Sequence, residues 1–356
     1  MSDELLDLYS DYLIVENRYA TATGLSASLD QRISHDKITR FLSKSEYDSK
    51  TLWGIVKRKV REVEENDGVI IFDDTLSEKP HSEKSIIVNW HFDHSKGRCV
   101  KGINILNMLY TVSDISIPIG FEIVKRETVK TDQNKSQSDQ NKNNKMRKLL
   151  EQAIINKAVF KWVIADIWYG GAENMAFIKD ICQRDFIVPL KKNRKVALSE
   201  KAKNQGQYVP IGSLKLEPGA RLRVYLKGID FPVTLIKDIF INGDESEGIQ
   251  YLVCSDPTAT YQQIISLYQK RWKVEEYHRS LKNNGALSAS PARNTTTQSN
   301  HIFASMVAFF KLELMKQKNN LNHYAMKSQI QWSALKAAFK KLQELKPDYQ
   351  LSFDFA

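Results

Sequence analysis

Cysteine is nearly absent, with only Cys99, Cys182 and Cys254 in 356 residues. The three lie far apart and none forms a CxxC pair. That argues against a structural zinc site or a disulfide framework and fits a reducing compartment. Long apolar runs are missing as well. The longest strongly apolar stretch, 302–310, is about half of what a membrane span needs. The opening MSDELLDLYSDYL is acidic and has no apolar centre, so it does not read as a secretory signal. A glycine-rich P-loop ending in Gly-Lys-Ser or Gly-Lys-Thr is also lacking, which leaves an ATP-driven mechanism unsupported. No membrane partner and no nucleotide cofactor are expected.

What is present is basic. The formal net charge is +10, and 42% of the residues are hydrophobic, enough for a real core. A basic excess over a chain of two or three domains favours polyanionic partners, nucleic acid first.

Residues 1–65 read as helices, with Leu5, Leu6, Tyr9, Tyr12 and Leu13 at helical spacing. TATGLSASLDQRISHDKITRFL then holds two short helical segments around a Leu29-Asp30-Gln31 turn, with Ser34 as N-cap. The pair fits a helix-turn-helix, with Ser34, His35, Lys37 and Arg40 near its reading helix. It fits an ordinary three-helix bundle equally. From Gly68 the pattern turns to strands. GVIIFDD, IIVNWHFDH, CVKGINILNMLYTV and SIPIGFEIV read as a meander. Residues 127–147, rich in Asn, Gln, Lys and Ser, are expected to form a mobile loop. A helix at MRKLLEQAI, a strand at FKWVIAD, a helix at AENMAFIKDICQR and a strand at DFIVPL follow.

Residues 191–249 alternate between apolar and polar, with turns between the runs, and read as a β-rich insertion. IQYLVCSD returns to a buried strand. Thr260 and Gln263 then make a capping box, and the helix it opens is expected to run through YQKRWKVEEYHRSLK at 268–282. The expected divisions are an N-terminal helical DNA-binding region (1–65), the first part of an α/β core (66–190), the insertion (191–249), the second part of the core (250–290) and a C-terminal helical region (291–356). Without the ends and the insertion the order is β-β-β-α-β-α-β-α. That is the order of an RNase H-like mixed sheet flanked by helices.

Three acids stand out by position. Asp73, with Asp74 beside it, ends the first core strand, Asp166 ends a later one, and Glu275 lies on the helix after the last strand. Adjacent strand residues face opposite ways, so Asp73 and Asp74 cannot both enter one site from a regular strand. Asp73 is taken as the ligand and Asp74 as the fallback. Converging carboxylates stay ionised around a cation, and hard oxygen ligands select Mg²⁺ or Mn²⁺. Each strand-end Asp also fits a plain turn or cap residue. A helical projection at about 100° per residue places Tyr268, Arg271, Glu275 and Lys282 in one strip beside the apolar face of Ile264, Leu267, Val274 and Leu281. Glu276 falls off that strip. HFDH, with His91, Asp93 and His94, makes a poor metal cluster because His94 faces away from the other two.

Tyr268, Arg271, Glu275 and Lys282 carry the spacing Y-x2-R-x3-E-x6-K. This resembles the YREK signature of a family of DDE-type insertion-sequence transposases. FDDT at 72–75 and VIADIWYGG at 163–171 look like the first and second acid blocks of that family, which also carries a β-rich insertion before the Glu. The resemblance covers about residues 66–310. It implies an RNase H-like core in which Asp73, Asp166 and Glu275 bind two Mg²⁺ (or Mn²⁺). The implied reaction is cut-and-paste transposition: cleavage at the element ends, then attack of the freed 3′-hydroxyl on target DNA. The implied partners are double-stranded DNA, as terminal inverted repeats and target, and a second copy in a synaptic homodimer. A cytoplasmic, nucleoid-associated place in a prokaryote goes with it.

Arg271 and Lys282 are suited to phosphates, and Tyr268 to a hydrogen bond with one. Trp272, Lys273 and Arg279 beside them complete the candidate DNA-binding set. Trp272, like Trp168 and Tyr169, fits either a packed core aromatic or a base-stacking platform. Two other readings remain open at this point: a metal-dependent nuclease of the same fold without strand transfer, and a transposase-derived DNA-binding regulator.

Overall fold

The computed structural model describes residues 2–44, 46–93, 96–125, 137–241, 243 and 245–346. Four helices open the chain: α1 (Ser2–Val15), α2 (Ala22–Ser28), α3 (His35–Lys44) and α4 (Ser49–Val63). Thr21 caps α2 by accepting from the Gly24 N–H at 2.9 Å, and Asp48 caps α4 by accepting from the Thr51 N–H at 2.8 Å. The turn between α2 and α3 falls where expected, with Asp30 and Gln31 both left-handed at φ 51° and 59°.

The centre is an RNase H-like sheet. Strands β1 (Val69–Glu78), β2 (Val88–Asp93), β3 (Arg98–Val112) and β4 (Ile115–Ile123) are followed by helix α5 (Gln137–Ile155), strand β5 (Trp162–Ala165), helix α6 (Ala172–Ala176) and strand β6 (Asp185–Leu190). β1 pairs antiparallel with β3 on one side and parallel with β5 on the other, and β5 runs parallel to β6. The first strands are not a simple meander. β3 is long enough to pair with β1 along one edge while β2 and β4 share its other edge, one on each half. Val69, Ile70, Ile71 and Phe72 are fully buried in the middle of this sheet. Burial eases at Asp73, where β1 passes beyond the reach of β5.

The β-rich stretch prolongs the same sheet. It comprises β7 (Lys195–Ala197), α7 (Glu200–Asn204), β8 (Val209–Pro210), β9 (Arg221–Leu226), β10 (Val233–Ile241) and β11 (Glu247–Cys254). β11 pairs antiparallel with β6, and β10 and β9 stack onto it in turn.

Two further expectations are corrected. Part of the stretch expected as a loop, from Gln137 on, belongs to α5, and residues 126–136 lie outside the described residues. Buried Met146, Leu149, Leu150 and Ala153 anchor this helix to the sheet. Its polar part is held by ion pairs that composition does not reveal, such as Lys145 to Glu122 at 3.3 Å. The helix expected through 268–282 is two helices, α8 (Tyr261–Gln269) and α9 (Trp272–Asn283). Between them the backbone tightens to i→i+3 bonds, Lys270 N–H to Leu267 C=O at 3.0 Å and Arg271 N–H to Tyr268 C=O at 2.9 Å. Helices α10 (Thr295–Asn319) and α11 (His323–Leu345) close the chain. α10 is buried against α1, α3 and β4. Among the described residues no helix is long and apolar enough to cross a membrane.

Candidate active site

The register of two parallel strands builds the site. Phe72 on β1 stands beside Ala165 on β5, so the next residues, Asp73 and Asp166, are neighbours at the carboxyl end of the sheet. Adjacent strands lie about 4.8 Å apart and registered neighbours project to the same face. Asp73 and Asp166 therefore share one mouth, a cleft of about 410 Å³ that also takes in Lys142, Trp168 and Tyr169. Asp74 lines it too, against the expectation that neighbours on a strand would be separated, because Lys142 and Tyr169 reach its carboxylate from the same cleft.

α9 brings the third acid. Its buried Tyr277 donates to Asn107 Oδ1 at 3.3 Å, and His278 Nε2 lies 3.1 Å from Asn107 Nδ2. Asn107 is the β3 residue registered against Asp73. The two contacts pin α9 along β1 so that Glu275 comes near Asp73, which does not end the strand as expected: β1 runs on to Glu78 paired with β3, and only its β5 partner stops here. Arg271 spans the space: it donates to Glu275 Oε1 at 2.7 Å and lies 3.9 Å from Asp73 Oδ2. The Tyr268 ring is 5.9 Å from the guanidinium. Burial pushes the His278 imidazole down to about 3, so it is a neutral hydrogen-bonding ring and not one of the cations of this helix.

Asp73 and Asp74 differ sharply in their partners. Asp74 accepts from Asn104 at 2.8 Å, from Lys142 at 2.7 Å and from the Tyr169 hydroxyl at 3.0 Å. Burial opposes its ionisation, but Lys142 and these hydrogen bonds prevail and hold it below the usual carboxylate range. Asp73 accepts one short bond, from the Asp74 N–H at 2.8 Å. Burial first, then the Asp74 carboxylate, push Asp73 up to about 7 against the pull of that bond and of Arg271. Asp166 accepts from the Ile167 N–H at 2.6 Å and caps the short 3₁₀ turn Ile167–Tyr169. It is both a cap and a neighbour of Asp73.

Not every candidate joins this cleft. Lys282 lies further along β1, where it feels the carboxylates of Glu78 and Asp93 and the ammonium of Lys96. Lys273 and Arg279 line a second cleft on the opposite side of α9, and Lys273 pairs there with Asp114 at 3.3 Å and Glu276 at 3.1 Å. Trp272 and Trp168 are 52% and 56% exposed, so neither is a core residue, whereas Tyr169 is buried on Asp74. His91 opens onto the first cleft, and His94 lies outside the described residues.

Sequence reading missed Lys142, Asn104 and Asn107. Two asparagines inside the otherwise apolar NILNMLYTV were the available signal for the latter pair, since a buried amide in a core strand needs a partner. Lys142 sat in a segment read as loop.

The sequence of residues 2–209 matches the family model of the DDE superfamily endonuclease, more than half of the chain. The chain belongs to the DDE superfamily endonuclease family. Membership makes it an enzyme of the nuclease and transposase kind, in a superfamily whose members generally depend on a divalent metal. The matched span contains Asp73 and Asp166 but ends before Glu275, so the third acid rests on the geometry above. Solved structures are similar only at a distance. The Drosophila P element transposase strand transfer complex matches at 8% identity and a TM-score of 0.30, over 56% of this chain and 46% of that one. Human ENDOV matches at 9% and 0.30, over 65% and 98%. The NurA nuclease from Sulfolobus solfataricus matches at 10% and 0.26, over 85% and 94%. Likenesses of this size add nothing to the argument from topology. A comparison with curated proteins finds no match.

The donor set suits the metal that the family implies. Asp73, Asp74 and Asp166 bring carboxylate oxygens to one cleft, with His91 on the same wall, and hard oxygen donors suit a divalent cation such as Mg²⁺. Asp73 also keeps acceptor capacity that the fold leaves unused. Among the described residues no three acidic, histidine or cysteine side chains form a ready cage. Arg271 bridges Asp73 and Glu275 instead.

Proposed function

We propose that this DDE enzyme is a transposase of the YREK-signature kind, which cuts DNA at the ends of an insertion sequence and joins the freed 3′-hydroxyls to target DNA. The observation that carries the reading is the juxtaposition of Asp73 and Asp166 across the β1/β5 pair, with Glu275 tied to Asp73 through Arg271. In this reading Asp73, Asp166 and Glu275 hold Mg²⁺ or Mn²⁺, two ions per site. Such ions, when bound, activate the attacking hydroxyl and offset charge on the leaving oxygen.

The remaining roles belong to the chain's own groups. Arg271 leaves its carboxylate bridge to grip a phosphate with its fork, a contact that Lys cannot copy. Tyr268 donates a hydrogen bond to the DNA backbone and helps to position Arg271. Lys282, further along α9, holds the strand as it leaves the cleft. Exposed Trp272 offers a face on which a base can stack, and Lys273 and Arg279 attract duplex passing the far side of α9. The working form is a homodimer on paired inverted repeats.

Glu275→Gln tests the site. Mg²⁺-dependent cleavage of DNA carrying the element's ends should vanish while binding persists. A mutant that still cuts refutes the triad. A strand-transfer assay with pre-cleaved ends separates transposase from plain nuclease, because the nuclease yields no joined product.

A further inference from the structure

The C-terminal half of α11 has no cover among the described residues. Residues 331–346 are all exposed, although the stretch contains Trp332, Leu335, Phe339, Leu342 and Leu345. These five are 60%, 56%, 61%, 51% and 69% exposed. The first four stand at i, i+3, i+7 and i+10, the anchor spacing of a helix that lies in a groove. A single uncovered helix of this length, about 24 Å, is marginal in water.

A matching groove lies elsewhere on the molecule. α1, α4 and α10 enclose an apolar trough of about 580 Å³, floored by Leu6, Ile55, Val307, Phe310 and Leu314. Gly54 lies in the same trough, in the interior of α4, where a Cβ would meet nothing within 4 Å. Glycine weakens a helix interior, and no neighbour within the chain requires it here. A smooth floor that admits another backbone does.

Charge complements shape. The arm carries Lys336, Lys340, Lys341 and Lys346 against the single Glu344. The exposed acids Asp3 and Asp7 of α1 line the trough, with Lys311 as a close cation that pairs with Asp7 and with Asp11 nearby. The arm cannot reach the trough of its own chain. α11 meets the residues just after α1, Glu16 and Asn17, through Lys327 and Gln331, whereas the trough lies at the other end of α1 beside Asp3 and Asp7. A continuous helix does not turn back.

We propose that residues 331–346 of one copy dock into the α1/α4/α10 trough of a second copy of this chain, and the reverse, as an exchange of arms. Two such contacts related by a two-fold axis bring the buried surface into the range of a stable interface, roughly 1,200–2,000 Å². Direct pairing of two arms would set lysines against lysines.

Sedimentation velocity of the full chain without DNA tests this, with circular dichroism as a check on folding. The wild type should sediment as a dimer. Phe339→Asp with Leu342→Asp should weaken self-association at least about tenfold. Gly54→Leu should do the same by filling the trough. Reversal of the arm lysines (Lys336→Glu, Lys340→Glu, Lys341→Glu) and reversal of the rim (Asp3→Lys, Asp7→Lys) should each give monomers. Mixing those two variants should restore a dimer, because both contacts are then complementary. A monomeric wild type overturns the proposal. So does a Gly54→Leu protein that dimerises like the wild type, which would assign the arm to another arm. Dimers of the charge variants alone, or a failure of their mixture to associate, would overturn it as well.

Discussion

α9 separates two polar clusters, one around the half-buried carboxylate of Asp73 and one around the buried carboxylate of Glu313, and the two behave in opposite ways. On one side Asp73 has a single short hydrogen bond and is pushed up to about 7 by burial and by Asp74. On the other side Glu313, on α10, accepts from the Ser116 N–H at 3.1 Å and lies 3.0 Å from both Lys316 Nζ and His323 Nε2. Burial opposes its ionisation too, but His323 and Lys316 prevail and hold it below the usual range. His323 Nδ1 in turn lies 2.8 Å from the Ser280 hydroxyl of α9, so this cluster ties α9, α10, α11 and β4 together. A buried acid that is fully partnered is cement. One left short of partners costs stability and marks a place where a ligand completes the set.

The largest expected effect tests the unsatisfied side. Asp73→Asn should lower metal-dependent cleavage by about a thousandfold or more, roughly 4 kcal/mol, while Tm stays level or rises. Asp74→Asn should leave more activity and lose stability, since its partners Lys142, Asn104 and Tyr169 would face a neutral amide. If Asp74→Asn is the inactive and stable variant, the two aspartates exchange roles.

The satisfied side should respond in reverse. Glu313→Ala strands the buried His323 and the Ser116 N–H and takes one of its partners from half-buried Lys316, which keeps the Asp114 carbonyl; it should cost about 3 kcal/mol in urea unfolding. Cleavage per folded molecule should be nearly unchanged. The sign with pH follows from the lowered carboxylate. Its stabilisation is complete above the ordinary value of 4.5 and fades as pH falls through the lower folded value. Glu313→Gln should therefore flatten the acid limb of the stability curve.

The smallest effect comes from a partnered acid away from both clusters. Asp256 accepts from Lys161 at 2.7 Å and from the Thr258 N–H at 2.8 Å. Burial works against it, yet these bonds pull it down to about 2. The Lys161 side chain is 43% exposed and its charge is screened, so Asp256→Asn should cost only about 1 kcal/mol. That contribution should disappear between pH 3.8 and about 2, as thermal melts across that range would show.

Much of the fold was legible. Apolar runs such as VIIF and WVIA read as strands because a buried strand needs continuous apolar residues, and they are the β1/β5 pair that sets Asp73 beside Asp166. Tyr268, Arg271 and Glu275 meet because helical neighbours three and four apart face the same way, even across the tightened turn. The same projection put Lys282 in their strip but could not show how far along β1 that strip extends. Composition failed at the start of α5, where polar residues such as Lys142 and Arg147 lie in a helix with partners distant in sequence.

The sequence by itself determined which residues are able to meet. Strand ends, helical faces and alternating patterns are local properties, and 3.6 or 2 residues per repeat suffices to read them. Only the tertiary structure decided how each acid is charged and partnered. Lys142 on Asp74, Arg271 near Asp73 and the enclosed Glu313 are set by contacts between residues far apart in the chain. Burial and Coulomb energies depend on those distances and not on the order of residues.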